Sequence, residues 1–314
     1  MLAVLWLSAA LSAIAFTVAN TVRGETERTA TAADGVRAYY LAAGAIQRAT
    51  LHVLWGPNFR NPDGSPRFYD RGTPVLRMSF PAGEADVEVI PEASRLNVNT
   101  ANPEELFRLL VAVGAEPERA REMAMAIVDW RTPLPGVISP FDQYYLSLTP
   151  SFRARHASFE EIEELLLVKG MTPELFYGTY IPDSEGRLVP RGGLRDCLSV
   201  LGTTAGFDVN TAEPALLLSI GLSPEAVNAV VTQRRLMPFR EPGQLAAFAE
   251  AGGPGFQKLR IGGNSVYTLR ATARLRLPDG RFSDLRRTVS STVKYLPAGF
   301  DEPFHTLRWY EGSR

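Results

Sequence analysis

The sequence contains a single cysteine, Cys197, among its 314 residues. An intramolecular disulfide is therefore excluded, even in an oxidising compartment, and we expect Cys197 to be a structural free thiol. Histidine is almost as scarce. His52, His156 and His305 lie far apart and lack the spacing of metal ligands. We expect each of them at a surface or an interface rather than in a catalytic site.

Catalytic motifs are also missing. The sequence has no nucleophile elbow, phosphate-binding loop or zinc-protease helix, so we expect no enzyme, no catalytic residue and no cofactor. The formal net charge is −1, which gives no global basic field for nucleic acid or anionic lipid. Calcium stays open as an unsupported alternative, because oxygen ligands occur without a recognisable ligand spacing at Asn61, Asp63, Asp70, Asp279 and Asp284.

Charge is absent from the first 22 residues, MLAVLWLSAALSAIAFTVANTV, and begins at Arg23. As a helix this run is about 33 Å long, enough for one bilayer crossing. The alternative is a cleaved signal peptide, but no basic n-region precedes the run. A helical spacing then continues, at Val36, Tyr40, Ala43, Ile46, Leu51 and Leu54. We predict one helix of about 50 residues that begins in a membrane and ends in a folded domain.

Strand patterns flank a long helical block. After a loop at 56–74, alternation predicts strands at 75–80 and 85–90. The clearest alternation is at 265–277, where one face is apolar and the other, with Thr268 and Arg270, is expected to be wet. Pro278-Asp279-Gly280 turns the chain into a returning strand at 285–296. The tail at 297–314 shows no period.

Helices are predicted between these strands. Asn102-Pro103-Glu104-Glu105 is a strong helix start, with an Asn cap and a Glu three residues later. Further helices are expected at 118–130, 158–168, 173–177, 214–220, 224–234 and 242–250. We predict irregular structure at 133–155 and 180–193. The acidic run from Glu160 to Glu164 is interpreted as a solvated helix face.

Because a lone hairpin is marginally stable, the two strand pairs are expected to share one antiparallel sheet that packs on the second half of the N-terminal helix. The helical block is then an insertion. The sequence predicts an α+β fold with four segments: a transmembrane half-helix (1–22), the rest of the helix with the first hairpin (23–96), an inserted α-helical domain (97–250), and the second hairpin with the tail (251–314).

The insertion carries an internal repeat. Val98-Asn99-Thr100-Ala101-Asn102-Pro103 returns as Val209-Asn210-Thr211-Ala212-Glu213-Pro214. Three Gly-x-x-Pro hairpins follow the same plan, since Gly suits a left-handed helix end and Pro a first helical position. Their residues are Gly114 and Pro117, Gly170 and Pro173, and Gly221 and Pro224.

Helix-hairpin-helix pairs can bind DNA phosphates through Gly-hydrophobic-Gly hairpins. Here Glu116, Thr172 and Ser223 replace the second Gly, and no Lys follows. A carboxylate at the phosphate position is electrostatically unfavourable. We therefore interpret the hairpins as structural pairs, with no nucleic-acid partner.

These segments together resemble the minor pseudopilin K of type II secretion systems. The phrases LAVLWLSAALSAIAF, RAYYLAAGAIQRA and RLNVNTANPEEL carry the resemblance, which covers essentially the whole chain. It implies a pilin-like long helix on an antiparallel sheet with an inserted all-α domain. It also implies a prepilin leader that a peptidase removes. No such leader precedes the apolar run, so we expect a mature chain or one that starts after the leader.

The resemblance implies a mechanical function. The chain would stand at the tip of a periplasmic pseudopilus, held by a single pass through the inner membrane with its globular part in the periplasm. It has no acidic residue before Glu25, which suits a subunit with nothing stacked above it. The implied partners are the I and J pseudopilins, with secreted substrates and the outer-membrane secretin as further contacts. We predict helix packing through Ala3, Trp6, Ala9, Ala10, Ala13 and Ile14. The competing interpretation is a membrane-anchored helix-hairpin-helix protein for DNA uptake.

Overall fold

The computed structural model describes residues 1–56, 58–70, 72–182, 185–248, 253–263 and 265–312. In chain order its elements are α1 (Leu2–Trp55), β1 (Val75–Phe80), β2 (Gly83–Pro91), β3 (Leu96–Asn97), α2 (Pro103–Ala112), α3 (Pro117–Arg131), α4 (Pro140–Leu146), α5 (Pro173–Tyr177), β4 (Thr179–Pro182), β5 (Leu188–Arg191), α6 (Leu194–Cys197), β6 (Leu198–Ser199), β7 (Phe207–Asp208), α7 (Pro214–Ser219), α8 (Pro224–Leu236), α9 (Pro242–Ala246), β8 (Leu259–Arg260), β9 (Val266–Arg276), β10 (Phe282–Tyr295) and β11 (Phe304–Glu311). Short 3-10 helices lie at Glu92–Ser94, Ile162–Leu167 and Pro254–Lys258.

One antiparallel sheet has the strand order β1-β2-β9-β10-β11. The first hairpin joins the second through β2 and β9, where Gly83 pairs with Leu275 and Pro91 with Tyr267. The helical block leaves the sheet after β2 and returns at β9. The predicted α+β fold, a long N-terminal helix on an antiparallel sheet with an inserted helical region, is confirmed.

Helix α1 packs on the sheet through a stripe of small residues, and this stripe differs from the predicted one. The buried positions on its second half are Gly35, Ala38, Ala42, Ala45, Ile46, Ala49, Thr50 and Val53. Val36 and Tyr40, which the sequence pattern placed in the apolar stripe, are exposed. The alanines allow the helix axis to approach the sheet closely, whereas the larger side chains point away. Of the spaced apolar positions, Ile46 thus lies in the buried stripe, while Val36 and Tyr40 lie outside it.

Two hydrophobic cores are present. Alanines of α1 and the inward residues of β2, β9 and β10 form one core, which includes Ile46, Val87 and Leu269. Side chains of the helical block form the other, centred on Leu109, Ile127 and Phe207. The predicted segment limits stay a prediction, and the limit between 250 and 251 lies outside the described residues.

Several local predictions were wrong. The tail contains the strand β11, the segment 180–193 contains the hairpin β4–β5, and the segment 133–155 contains α4. The helix expected at 158–168 is the short 3-10 helix Ile162–Leu167. The helix expected at 242–250 begins as predicted and ends at Ala246, while residues 249 and 250 lie outside the described residues. The tail strand β11 and the strands β4 and β5 form by pairing with a neighbouring strand, although their own sequences lack a clear strand pattern.

Candidate functional site: the anchor helix and the helical insert

The first half of α1 is apolar and exposed. It holds the one span among the described residues that is long and apolar enough to cross a membrane, and none of that window is buried. All the residues predicted to pack against partner helices are exposed on it: Ala3, Trp6, Ala9, Ala10, Ala13 and Ile14. Because the chain itself covers none of them, their role as a packing face stays a prediction.

The three Gly-x-x-Pro hairpins have the geometry that their residues favour. Gly114, Gly170 and Gly221 have φ values of 99°, 85° and 102°, the left-handed region that suits glycine. Each following Pro is the first residue of a helix, namely Pro117 of α3, Pro173 of α5 and Pro224 of α8.

The residue before each Pro is a helix cap. The Glu116 carboxylate accepts hydrogen bonds from the N–H groups of Glu118 and Arg119, both at 3.1 Å. Thr172 and Ser223 cap α5 and α8 through their hydroxyl oxygens. These side chains bond backbone amides at the helix starts, which are the groups that a phosphate would need. At the first hairpin the cap is also an anion, since these hydrogen bonds lower the pKa of Glu116. DNA uptake is therefore not favoured.

Two of the hairpins meet in space. Arg119 donates to the carbonyl oxygen of Gly170, and a Cβ atom at Gly170 would lie 2.8 Å from Cγ of Met123. The guanidinium of Arg191, from β5, covers Gly114. The third hairpin lies elsewhere, with Gly221 beside Pro254. The sequence showed the three hairpins but not which of them are neighbours.

The repeat is held by matching backbone clamps that the sequence analysis missed. Asn99 exchanges two hydrogen bonds with the backbone of Phe159, at 2.8 and 3.0 Å. Asn210 makes the same pair with Phe239, at 2.8 and 2.9 Å. The asparagine at the second position of each repeat was the available signal, since a buried amide needs partners.

A second matching feature is an arginine in the last turn of the second helix after each repeat, α3 in one case and α8 in the other. Arg131 donates to the carbonyl oxygens of Val98 and Ala101. Arg234 donates to those of Val209, at 2.9 Å, and Ala212, at 2.7 Å. Burial lowers the pKa of both guanidinium groups. Each repeat is thus a turn that is held by the side-chain hydrogen bonds of one asparagine and one arginine.

The insert touches the outer face of the sheet through polar contacts. Arg308 of β11 donates to Glu161 at 2.9 Å and also to the carbonyl oxygen of Glu160. Nearby, the buried carboxylate of Glu92 accepts hydrogen bonds from Thr268, at 2.6 Å, and from Ser199. Glu161 of the acidic run therefore contacts the sheet, which the interpretation as a solvated face did not anticipate, while the Glu160 side chain stays exposed.

The scarce cysteine and histidines are accounted for individually. Cys197 is buried, and burial raises the pKa of its thiol. His305 lies on the surface, where its Nδ1 is 3.1 Å from Glu302. His52 packs against Phe68 near the end of α1. His156 is largely buried, which the surface assignment did not anticipate, and it contacts Asp142.

Three of the four carboxylates considered for calcium have hydrogen-bond or ion-pair partners in the structure. Asp63 accepts hydrogen bonds from Ser65, and Asp279 pairs with Arg281 at 2.7 Å. Asp70 lies 3.6 Å from Arg240. Among the described residues, no group of three or more His, Cys, Asp or Glu side chains is placed to hold a metal ion. The calcium alternative stays untested.

Comparisons with known proteins agree with this geometry. Residues 87–178 match the family model described as type II secretion system (T2SS), protein K. The chain is 25% identical over 251 residues to the type II secretion system protein K of Klebsiella pneumoniae, covering 74% of this chain and 72% of that protein. It superposes with a TM-score of 0.58 and 16% identity on a chain in the crystal structure of the GspK-GspI-GspJ complex from enterotoxigenic Escherichia coli, covering 91% of this chain and 100% of that one.

Proposed function

Because this chain is a minor pseudopilin of the K type in type II secretion, we propose that it forms the tip of a periplasmic pseudopilus. The observation that carries this proposal is the unbroken helix α1. Its first half is bare and apolar, its second half is covered by the sheet, and no break separates the two. A continuous helix holds the globular part at a fixed distance from the membrane, so the protein acts as a structural subunit rather than an enzyme.

The bare half of α1 would cross the inner membrane once and place the globular part in the periplasm. The charge pattern supports the single crossing, since the first charged residue, Arg23, follows directly on the apolar run. The Ala-rich face of the span allows close approach of other helices, which is how helices associate in lipid.

The partners would be two other minor pseudopilins, of the I and J types. The solved neighbour is a complex of GspK with GspI and GspJ, and we extend that arrangement to this chain. Two exposed side chains on the covered half of α1, Val36 and Tyr40, offer additional apolar surface for a partner helix. The insert stands beside the sheet and would block further subunits from above. It would also contact secreted substrates and the outer-membrane secretin.

A pull-down from detergent tests the packing face. Ala10 shares one helix face with Ala3, Trp6, Ala13 and Ile14, whereas Ala15 lies about 140° around the helix. We expect Ala10→Leu to reduce co-purification of the I and J pseudopilins. The matched change Ala15→Leu should leave it near the wild-type level. Equal co-purification with both variants would contradict this face assignment.

A deletion tests the role of the insert. Removal of residues 97–250 should leave membrane insertion intact, as measured by protease protection, but change pseudopilus length and impair secretion. Unchanged secretion by an inserted, stably produced deletion variant would count against the capping role.

A further inference from the structure

The hairpin between β9 and β10 points toward the membrane end of α1. Three contacts order the strands along the helix. Gly35 lies against Arg287, Leu41 lies against Gly83, and the Tyr295 hydroxyl donates to the carbonyl oxygen of Thr50 at 3.1 Å. Strand β10 therefore runs from Arg287 to Tyr295 as the helix runs away from its apolar half. The turn that precedes β10 must project in the opposite direction, toward the apolar half.

The turn lies between the sheet and the level at which the apolar run ends. Gly35 is 13 residues beyond Val22, or about 20 Å along the helix. Arg287 pairs with Ala273, and three residues further along β9 the last pair is Arg276 with Phe282. Those three residues add about 10 Å, and the turn extends a few ångströms more. The guanidinium of Arg287, not its backbone, reaches Gly35, and Gly83, which pairs with Leu275, lies against Leu41, about 28 Å beyond Val22 along the helix. The turn at 277–281 thus lies about 20 Å from the level of Val22.

The hairpin tip, defined here as residues 276–287, is locally basic. It contains the exposed arginines Arg276, Arg281, Arg286 and Arg287 and two acidic residues, Asp279 and Asp284, so its formal charge is 4 − 2 = +2. Arg281 pairs with Asp279. Arg286 and Arg287 have no ion-pair partner among the described residues. The neighbouring helix segment is balanced, with Arg23, Arg28 and Arg37 against Glu25, Glu27 and Asp34.

The tip also presents apolar groups beside these charges. The guanidinium carbons of Arg276 and Arg274 lie 4.7 and 5.2 Å from the ring centre of Phe282. Leu277 and Pro278 form the first part of the turn. Arginine beside aromatic and aliphatic groups is typical of segments at a membrane interface, where guanidinium groups reach phosphates and the rest contacts the acyl boundary.

We propose that the hairpin tip binds the anionic phospholipid headgroups of the bilayer that holds α1. This proposal rests on the membrane anchoring in the proposed function. Charge complementarity and the position of the tip on the membrane side of the sheet favour lipid over protein as the occupant, and a tilt of α1 toward this side would bring the arginine side chains to the headgroups. The contact would hold the globular part close to the membrane before it is raised into a pseudopilus.

The test uses the full chain in lipid nanodiscs. A fluorophore is attached at Pro278→Cys, and the matched control carries it at Pro62→Cys, in the exposed loop beyond the far end of α1. Cys197 is buried, so labelling is selective. Spin-labelled headgroups report proximity by quenching. In discs with about 30% phosphatidylglycerol, we expect about threefold more quenching at position 278 than at position 62, and loss of the excess in about 0.5 M salt.

Charge reversal tests the arginines directly. The triple variant R276E/R281E/R286E should lower the quenching at position 278 to the level in phosphatidylcholine discs. The control triple variant R60E/R153E/R235E changes exposed arginines elsewhere and should keep the excess quenching. Equal quenching in the two lipid compositions, or protection of position 278 by I and J pseudopilins without a lipid effect, would overturn the proposal. Failure of the chain to co-float with discs would instead contradict the proposed membrane anchoring.

Discussion

Nε2 of His156 lies 2.9 Å from Oδ2 of Asp142, while Nδ1 of the same ring lies 3.1 Å from the carbonyl oxygen of Asp129. Both ring nitrogens face acceptors, so both bonds form only when both nitrogens carry protons. Burial lowers the pKa of His156, but the hydrogen bond and the charge of Asp142 outweigh it and the pKa is raised. Burial likewise raises the pKa of Asp142, and hydrogen bonds from His156, Ser139 and Ala154 reverse this shift, so the pKa is lowered.

This pair predicts a pH-dependent stability of the insert. A raised pKa in the folded state means that the contribution of His156 is complete below about pH 6.5 and is lost as the pH rises through the folded value. The contribution of Asp142 is present above about pH 4 and is lost in acid. We expect His156→Asn to lower the free energy of unfolding by about 2 kcal/mol near pH 6 and by less near pH 9. Asn is chosen because His156 has a φ of 48°, which Asn tolerates.

The measurement is urea unfolding of the detergent-solubilised chain, followed by circular dichroism. His305→Asn is the control, since its ion pair with Glu302 is exposed and should contribute little. An equal loss of stability at both pH values would show that His156 is not charged in the folded protein.

The asparagine clamps predict a second stability effect. Asn210→Ala removes both hydrogen bonds to Phe239 and leaves buried backbone groups without partners, so the free energy of unfolding should fall by about 3 kcal/mol. Asn61→Ala is the matched control, because Asn61 is exposed and its side chain donates a hydrogen bond to the nearby exposed loop residue Ser65. It should change stability by less than about 0.5 kcal/mol. Similar values for the two variants would contradict the clamp.

The contact between Arg308 and Glu161 predicts local protection of the acidic run. Arg308→Ala should speed hydrogen exchange in residues 158–168, because the segment loses its donor from β11. The global free energy of unfolding should fall by only about 1 kcal/mol. The control is Arg77→Ala on the opposite edge strand, where the side chain is exposed. Unchanged exchange in residues 158–168 would show that Arg308 does not hold the insert against the sheet.

Gly178 allows two backbone segments to approach closely, so its replacement should lower the free energy of unfolding. Gly178 has a φ of 91°, and a Cβ atom there would lie 2.4 Å from the carbonyl oxygen of Arg191. Gly178→Ala should therefore lower the free energy of unfolding by more than about 3 kcal/mol, because the strain of alanine at a positive φ adds to the collision of its Cβ with the backbone. Gly136→Ala separates the two effects, because Gly136 has a φ of 74° with open space around it. It should cost about 1 kcal/mol.

Much of the fold follows from short-range patterns. The starts of α2, α3, α5 and α8 were visible because a cap and a proline lie within three residues of each other. The strands β9 and β10 were visible because alternation repeats every second residue. In contrast, β11 lacks a strict alternation and becomes a strand because β10 pairs with it.

Other features of the candidate site were not predictable because their partners are distant. Asn99 and Phe159 are 60 residues apart, and Arg308 and Glu161 are 147 apart. Nothing near either residue of a pair indicates the other. The buried stripe on α1 was not predictable for a related reason. Both faces of the helix carry apolar side chains, and only the closeness of the sheet selects the alanines.

By itself the sequence determined the apolar half of α1, the hairpins and the identity of most strands, because helix capping, chain reversal and the absence of charge over 22 residues act within one or two turns of the chain. The tertiary structure alone decided which face of α1 is buried, which hairpins meet, where His156 finds its carboxylate and where the basic hairpin tip points. These depend on packing between segments far apart in the chain, where the free energy comes from the complementary surface and not from either segment alone.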